Sequence, residues 1–215
     1  MSDQDPNQTT VATFDANADQ YLAYFKTFTL YRPSFDRLMA ALSLQQKTLL
    51  EVGCGPGNVS HYLLSKRPDL KILGIDLAPR MVALAKKLNP EQQYEVMDCR
   101  QLQQLTGPFD AVVAAFCLPY LNHQEAKNMV TQCTDLLPSG GVIYLSSVEG
   151  SPADDGLQQS GAASGSTYVY HHDVQWLSGL LETLGFNLLW EDSLTHVHNQ
   201  QTTQDHFWVA RKAPS

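Results

Sequence analysis

Three glycines at alternate positions follow a short apolar run near residue 50. The run ends at Val52, and the glycines are Gly53, Gly55 and Gly57. Glycine has no Cβ atom, so the backbone can pass close to a ligand at these positions. A helical pattern begins directly after the third glycine, and the first N–H groups of a helix have no partner inside it. This stretch is therefore predicted to be a ligand-binding loop between a strand and a helix.

Carboxylates follow the next two predicted strands at the spacing that a nucleoside site needs. Asp76 ends the second strand, 19 residues after Gly57, and Asp98 follows the third strand together with Cys99. An acidic residue about 20 residues after the last glycine binds the ribose hydroxyls in nucleotide-binding folds. Taken alone, each carboxylate is better explained as a helix or turn cap. The glycine loop and the carboxylates, arriving in this order, together favour a nucleoside site.

The kind of nucleoside depends on the residue after the third glycine. A dinucleotide fingerprint needs another glycine there, and this chain has Asn58. An NAD(P)-dependent oxidoreductase is therefore the second interpretation rather than the first. The fourth predicted strand ends at Ala115 and Phe116, whose apolar side chains complete the predicted site.

These residues fall at the ends of strands in a regular alternation of strand and helix. Because crossover helices join parallel strands, we predict a doubly wound, Rossmann-like α/β fold with helices on both faces of a mostly parallel sheet. Ligands bind such sheets beyond the carboxyl ends of the strands. The predicted strands cover 48–52, 71–76, 93–97, 109–115 and 142–148, followed by a last pair over 187–194 and 206–211.

Three segments lie outside this alternation. Residues 1–13 are polar and are predicted to form a flexible tail, which leaves a single domain over 14–215. The segment 14–45 carries two aromatic-rich helical patterns, so we predict a helical cap. This cap could equally well cover one end of the core or close over the ligand. The segment 149–172 begins with small polar residues, so we predict a mobile loop that contacts the substrate.

Composition disfavours several classes of function. The net charge is −8 and no dense block of lysine or arginine occurs, which argues against a nucleic-acid partner. No apolar run reaches the length that spans a membrane, and the polar first ten residues are unlike a signal peptide. Four cysteines without a C-x-x-C spacing indicate reduced thiols, so a cytoplasmic protein is expected. We expect a monomer or a homodimer.

Several motifs jointly resemble those of the class I S-adenosylmethionine-dependent methyltransferases. They correspond to the family's glycine motif, its second acidic motif, the acidic residue beside the adenine, the fourth strand and the turn before the fifth strand. The resemblance covers residues 15–212, most specifically 49–148, and points to the broad small-molecule branch called type 11 or type 25. The matching stretches are Glu51–Gly57, Gly74–Met81, Asp98–Cys99, Phe109–Val113 and Leu136–Gly141.

This resemblance implies S-adenosylmethionine as the cofactor and a seven-stranded sheet whose last strand is antiparallel. It implies that the glycines line the methionine part, that Asp76 holds the ribose, and that Asp98 with Cys99 holds the adenine. Leu77 and Met81 would pack near the adenosine, and a residue of the N-terminal helices would cover the methionine end. The predicted cofactor-binding residues are Tyr24, Arg32, Glu51, Gly53, Cys54, Gly55, Gly57, Asp76, Leu77, Met81, Asp98, Cys99, Ala115 and Phe116.

Methyl transfer to a small molecule is the function that these observations favour. The reaction is a displacement at a sulfonium carbon, so an enzyme mainly aligns the reactants and excludes water. A base is needed only if the acceptor arrives protonated. A non-catalytic S-adenosylmethionine-binding protein is the third interpretation. The candidates for a base or a substrate contact are Tyr120, His123, His171 and His172.

Three histidines near the end of the chain are the remaining candidates for chemistry. His196 and His198 alternate on a predicted strand, and His206 follows nearby. Histidines at such a spacing can bind a metal, but no acidic or thiol ligand joins them at a closed spacing. An exposed polar hairpin explains them better, so we expect no metal.

Overall fold

Seven strands form one sheet in the computed structural model, which describes residues 6–159, 165–198 and 201–214. Two short strands form a separate hairpin. The strands of the sheet are β1 (Thr48–Val52), β2 (Lys71–Asp76), β3 (Gln93–Val96), β4 (Ala111–Ala115), β5 (Val142–Val148), β8 (Phe186–His198) and β9 (Gln201–Lys212), and those of the hairpin are β6 (Gly156–Gln159) and β7 (Ser166–Val169).

The order of strands in the sheet is β3-β2-β1-β4-β5-β9-β8. The first five strands are parallel wherever they pair, and β9 is antiparallel to both β5 and β8. The carboxyl ends of β1 to β4 therefore meet at one edge, which brings the glycine loop beside Asp76. The predicted Rossmann-like sheet with an antiparallel last strand is confirmed.

Helices cover both faces of the sheet. Leu49 and Val113 face one side with residues of the helices over 32–41 and 58–66, whereas Leu50 and Val112 face the other with residues of the helices over 123–136 and 174–183. Successive strand residues point to opposite faces, so the apolar runs of β1 and β4 are buried on both sides. The helices are α1 (Pro6–Ala16), α2 (Ala18–Thr27), α3 (Arg32–Ala41), α4 (Asn58–Lys66), α5 (Pro79–Leu88), α6 (His123–Leu136) and α7 (Val174–Thr183).

Helix ends follow the local signals in the sequence. At the start of α6, the Asn122 side chain accepts the N–H of Glu125, and the Glu125 carboxylate accepts the N–H of Asn122, both at 2.9 Å. This reciprocal capping box fixes where the chain leaves the loop after β4. No helix in the described ranges is long and apolar enough to cross a membrane.

The segment predicted to be a flexible tail over 1–13 is helical from its sixth residue onward. Distant residues hold this helix. The Thr13 hydroxyl donates to the carbonyl of Ser166 at 2.7 Å, and the Thr10 hydroxyl accepts the N–H of Tyr168 at 3.0 Å. Both partners lie on the β6–β7 hairpin, so the local polar composition gave no sign of them. The first five residues lie outside the described part of the chain.

The predicted mobile loop over 149–172 contains regular elements. A 3-10 turn covers Pro152–Asp154, and the β6–β7 hairpin follows it. The hydrogen bonds to α1 explain how a stretch almost without large apolar groups forms strands. Residues 160–164 lie outside the described ranges, and the mobility of the segment stays a prediction.

Candidate active site

The loop after β1 has a backbone shape that glycine adopts easily. Gly53 and Gly57 have φ values of +68° and +80°, in the left-handed region. A Cβ atom on Gly57 would lie 2.8 Å from Nδ2 of Asn89 and 3.0 Å from Cα of Ala85. Gly57 therefore packs against the end of α5 and caps the start of α4, and its predicted place beside the methionine part stays a prediction.

Asp76, at the end of β2, joins the glycine loop to the next helix. One carboxylate oxygen accepts the N–H of Gly55 and the other accepts the N–H of Ala78, both at 2.9 Å. Burial raises the pKa of this carboxyl group. A carboxylate has about four acceptor positions, so both oxygens can still bind a ligand hydroxyl. Capping and ligand binding are therefore compatible roles for Asp76.

Asp98, after β3, is paired with an arginine that the sequence prediction left out. Nε and Nη2 of Arg100 donate to Oδ2 of Asp98 at 2.9 and 2.7 Å. Nη1 of Arg100 donates to Glu125 at 3.0 Å. This end of the site thus offers guanidinium N–H groups as well as carboxylate oxygens. The sequence signal that could have identified Arg100 is its position two residues after Asp98, the acid that follows the third strand.

Two adjacent cavities lie above the carboxyl ends of the strands and share part of their lining. The first, which we call the acidic cleft, encloses about 780 Å³, part of it open to solvent, and is lined by Asp76, Asp98 and Arg100 among others. The second, the aromatic chamber, encloses about 510 Å³, also partly open, beside the glycine loop. The residues that line both are Tyr21, Gly53, Gly55, Ala115 and Phe116.

Six aromatic rings surround the aromatic chamber. Phe116, directly after β4, has a φ of +54°, and its N–H donates to the Ser146 hydroxyl at 3.0 Å. Its ring centre lies 4.7 Å from that of Tyr31. A non-glycine residue held in this region stores about 1–3 kcal/mol of strain, a feature concentrated at ligand sites. The rings belong to Tyr21, Phe25, Phe28, Tyr31, Phe35 and Phe116.

One acidic and one basic residue, Glu51 and Arg32, border the aromatic chamber. Glu51 is only 2% exposed, and the Ser60 hydroxyl donates to its Oε2. Burial raises the pKa of Glu51 to about 8, and a cation placed beside it would favour the ionised form. Arg32 is exposed, and its guanidinium lies 5.4 Å from the ring centre of Tyr62. The chamber can therefore bind an ammonium group and a carboxylate together.

Most of the predicted cofactor-binding residues line one of the two cavities. Tyr24 and Gly57 line neither, and the ring of Tyr24 stacks on Phe28 at 5.5 Å between centres. Cys54 borders the chamber while packing in a buried cluster with Tyr94. The acidic cleft contains Gly53, Gly55, Asp76, Leu77, Met81, Asp98, Cys99, Ala115 and Phe116, and the chamber adds Arg32, Glu51 and Cys54.

Tyr120 and His172, two of the four predicted base or substrate-contact residues, have different surroundings. Tyr120 lines the acidic cleft. His172 is 1% exposed, and its Nε2 lies 3.1 Å from the carbonyl oxygens of both Leu118 and Leu121. His172 thus supports the loop that carries Tyr120 from behind.

His171 and His123 are not among the residues that line the acidic cleft. The backbone N–H of His171 donates to Asp155 at 2.7 Å, and its Nδ1 lies 3.4 Å from the same oxygen. The His123 ring packs on Trp176 with 3.8 Å between centres. Among the four candidates, Tyr120 is the one that borders a described cavity, and the roles of the three histidines stay predictions.

Helix α1 and the start of α2 form an outer wall that sequence reasoning left open. Val11 and Phe14 line the acidic cleft, and Tyr21 lies between the two cavities. The Phe14 ring packs edge-on against Tyr120 with 5.1 Å between centres. The aromatic residues Phe14 and Tyr21 were the local sequence signal for this wall, because the other partners of α1 lie far along the chain.

The histidines of the last hairpin do not converge on one metal position. His196 lies 2.7 Å from Asp205 and His206 lies 2.8 Å from Glu191, on opposite faces of β8 and β9. The side chain of His198 lies outside the described part. Over the described ranges, no group of three or more His, Cys, Asp or Glu side chains could hold a metal ion.

Comparison with known sequences finds proteins that are similar to the part of the chain that carries this geometry. A family model described as a methyltransferase domain matches residues 49–141. A putative methyltransferase of Invertebrate iridescent virus 6 is 31% identical over 136 residues, 63% of this chain and 46% of the relative. A ubiquinone biosynthesis O-methyltransferase of Xanthomonas oryzae is 32% identical over 133 residues, 59% of this chain and 54% of the relative. The chain thus spans about half the length of these curated relatives.

Comparison with solved structures supports the fold. The complex of DhpI with S-adenosylhomocysteine aligns over 100% of both chains with a TM-score of 0.71 at 18% identity. A methyltransferase structure from Methanosarcina mazei aligns over 83% of this chain and 98% of its own, with a TM-score of 0.68 at 18% identity. At such low identity, these matches concern the fold and leave the reaction open.

Proposed function

We propose that this chain is a class I S-adenosylmethionine-dependent methyltransferase and that it transfers a methyl group to a small molecule. The observation that carries the proposal is that the two cavities adjoin at the glycine loop, since Gly53 and Gly55 line both. Asp76 and Asp98 line the acidic cleft. Glu51 and Arg32 line the aromatic chamber. An elongated ligand with a nucleoside at one end and a zwitterionic amino acid at the other matches this arrangement.

The residues present fit S-adenosylmethionine. Asp76 retains acceptor positions for ribose hydroxyls, and Leu77 and Met81 offer apolar surface to a base. Glu51 would hold the ammonium group and Arg32 the carboxylate of the methionine part. Bound there, the donor would supply an electrophilic methyl group on a sulfonium.

The chain's own contribution is alignment and exclusion of water. The rings of Tyr21 and Phe116 stand where the two cavities meet, so they shield the reacting atoms. Burial raises the pKa of Tyr21 and of Tyr120, so both phenols keep their protons at neutral pH. They therefore serve as hydrogen-bond donors, and Tyr120 contacts the acceptor without acting as its base.

Several observations support a small-molecule acceptor. Both cavities combine apolar and aromatic walls with a few polar or charged side chains, which is typical of sites for small ligands. Relatives bear the names ubiquinone biosynthesis O-methyltransferase and trans-aconitate 2-methyltransferase. A net charge of −8 disfavours nucleic acid as the acceptor. A cytoplasmic location and a monomeric or homodimeric state remain expectations from the sequence.

Isothermal titration calorimetry with S-adenosylmethionine, S-adenosylhomocysteine and NAD tests the donor. We expect both sulfur nucleosides to bind and NAD not to bind. Tight binding of NAD alone would instead identify an oxidoreductase. Release of S-adenosylhomocysteine in the presence of small-molecule acceptors tests the transfer itself, since donor binding without turnover on any acceptor would indicate a non-catalytic binding protein.

A further inference from the structure

Two free cysteine thiols contact each other in the wall of the acidic cleft. The S–H of Cys117 donates to Sγ of Cys99 at 3.7 Å, and both residues line the cleft. Cys99 follows β3 and Cys117 follows β4, with β2 and β1 between these strands in the sheet. The contact therefore joins two loops that border the cleft from different strands.

Cys117 is held in place beneath the glycine loop. It is 7% exposed, and a Cβ atom on Gly53 would lie 3.2 Å from Cβ of Cys117 and 3.3 Å from its Sγ. The preceding residue, Phe116, is fixed by the hydrogen bond from its N–H to Ser146. The hydrogen bond to Cys99 and burial raise the pKa of Cys117 well above its ordinary value, so this thiol keeps its proton.

Cys99 lies on a less regular segment. It is partly exposed and begins the 3-10 turn Cys99–Gln104, in which Gln101 departs from helical geometry with φ −121° and ψ 31°. Asp98 caps this turn by accepting the N–H of Arg100 at 2.9 Å. A displacement of Cys99 would thus also displace Asp98 and Arg100, which supply polar groups to the cleft.

The other two cysteines have different surroundings. Cys54 is 2% exposed and packs with Tyr94 in a separate cluster. Cys133 is fully buried, and its Sγ lies 3.5 Å from Sδ of Met129. Neither Cys54 nor Cys133 is among the residues that line the acidic cleft. They serve as comparisons for the pair in the cleft.

We propose that Cys99 and Cys117 are a site of reversible oxidation, at which hydrogen peroxide forms a disulfide that closes the acidic cleft to the methyl donor. The Cys99 thiolate attacks one peroxide oxygen, the O–O bond breaks, and a sulfenic acid and hydroxide form. Sγ of Cys117 then bonds to this sulfur, and its proton leaves with the displaced hydroxide as water. In total, the two thiols lose two electrons and two protons, and the peroxide becomes two waters.

The disulfide would change the shape of the donor site. An S–S bond is about 2 Å long, so the sulfurs must approach each other by about 1.7 Å. Because Cys117 is held beneath Gly53, most of this movement falls on Cys99 and the turn that carries Asp98 and Arg100. Disulfides in reducing compartments are mostly transient and redox-sensing, which suits such a site. The loss of donor binding rests on the proposed function, because it assigns the cleft to the nucleoside.

Peroxide treatment of the reduced chain tests the proposal. The chain is treated with hydrogen peroxide, which catalase then removes, and free thiols are counted by alkylation under denaturing conditions. We expect two of the four thiols to disappear and digestion to yield a peptide that links Cys99 to Cys117. Calorimetry should show S-adenosylhomocysteine affinity reduced at least about tenfold, as for a lost charged hydrogen bond, and restored by dithiothreitol. Oxidation to sulfinic acid without a linked peptide would overturn the proposal.

Variants separate the disulfide from general damage by peroxide. Cys99→Ala and Cys117→Ala should each bind S-adenosylhomocysteine equally well before and after treatment. Each is compared with its own untreated sample, because both residues line the cleft. Cys133→Ala is the matched control, and it should still lose two thiols and its affinity. Melting curves establish that each variant is folded, and Cys99→Ala decides if Cys117→Ala is not. A loss of affinity in treated Cys99→Ala as large as in the wild type would contradict the proposal.

The experiment also distinguishes the proposal from the function on which it rests. If the reduced chain binds no S-adenosylhomocysteine, the proposed function fails, whereas the linked peptide is detected without any donor. If the reduced and oxidised chains bind it equally well, the inference alone is wrong. Saturating S-adenosylhomocysteine should slow formation of the linked peptide, since a nucleoside in the cleft covers Cys99. An unchanged rate would overturn the placement of the two thiols in the donor site.

Discussion

The acidic cleft and the aromatic chamber adjoin each other but are built from contacts of very different range. In the cleft, the key hydrogen bond from Gly55 to Asp76 joins residues 21 positions apart. Behind the chamber, the bond from Tyr31 to Asp205 joins residues 174 positions apart. The first depends on two neighbouring strand ends, and the second requires most of the fold to be in place.

This difference also separates backbone recognition from side-chain recognition. The cleft is organised by backbone N–H groups of the glycine loop and by carboxylates at strand ends, which many nucleoside-binding sheets share. The chamber is organised by packed rings and by the buried carboxylate of Glu51. We therefore expect variants of the cleft to affect the nucleoside end of the donor or folding, and variants of the chamber to affect its amino-acid end.

The largest loss of stability is expected from Gly57→Ala, because this position has a left-handed backbone and a Cβ atom there would be crowded. Gly57 and Gly140 both have a φ of +80°, so alanine is strained at either position. A Cβ at Gly57 meets Asn89 and Ala85, whereas one at Gly140 has nothing within 4 Å. Urea denaturation should show a loss of about 2–5 kcal/mol for Gly57→Ala and about 1–2 kcal/mol for the control Gly140→Ala. Equal losses would show that crowding at Gly57 is absent.

Asp76→Ala should produce the next largest effect, on donor affinity. The substitution removes acceptors for the ribose hydroxyls and releases the N–H groups of Gly55 and Ala78. We expect calorimetry to show S-adenosylhomocysteine binding weakened by about 1–3 kcal/mol. Asp69→Ala is the control, because Asp69 is a surface residue paired with Arg67. Unchanged affinity in Asp76→Ala would mean that Asp76 serves only as a cap.

The sequence was sufficient to predict the cleft because each of its parts depends on local geometry. A glycine turn after an apolar run, followed by an acid at the end of the next strand, has few other structural meanings in an α/β sheet. Asp76 and Asp98 were predicted from this pattern, and both line the cleft. The antiparallel last strand followed from the resemblance.

The chamber was mostly beyond sequence reasoning because its contacts are long-range. No local sequence pattern predicts that Phe116 adopts a left-handed φ of +54° or that its ring packs against Tyr31. The polar composition of α1 led to the prediction of a flexible tail. The residues that stabilise this helix lie on β7, far along the chain, so the local sequence did not reveal them. His171 and His172 were predicted to be base or substrate-contact residues because they precede a helix. In the structure their hydrogen bonds join loops to one another, and a contact with substrate stays a prediction.

The pH dependence of stability is expected to reveal Glu51, which lines the aromatic chamber beside the glycine loop. Burial raises the pKa of Glu51 from an ordinary 4.5 to about 8 in the folded, ligand-free chain. Between these values the folded chain holds a proton that the unfolded chain has lost, so stability falls as the pH rises. The free energy of unfolding should fall by about 1.4 kcal/mol between pH 6 and pH 7 from this group alone.

The variant Glu51→Gln separates this contribution from the rest of the chain. It removes the titrating group and keeps an acceptor for the Ser60 hydroxyl. Urea denaturation across the same pH range should give a flatter profile than the wild type. The same slope in both proteins would show that the carboxyl ionises in the folded chain as readily as in water.

The smallest effect should come from His172, which supports the Tyr120 loop without lining a cavity. Its Nε2 faces two carbonyl oxygens, and its Nδ1 is buried without a hydrogen-bond partner in the described structure. Burial lowers the pKa of His172 below 6.5, so the unfolded chain binds a proton first as the pH falls. The contribution of His172 alone should therefore lower stability by about 1 kcal/mol or less from pH 6.5 to pH 5.5, opposite in sign to the contribution of Glu51. In His172→Gln, which keeps a donor for the carbonyls, this decrease should vanish while S-adenosylhomocysteine affinity at pH 7.5 stays unchanged. A loss of that affinity would instead tie the loop behind Tyr120 directly to the acidic cleft.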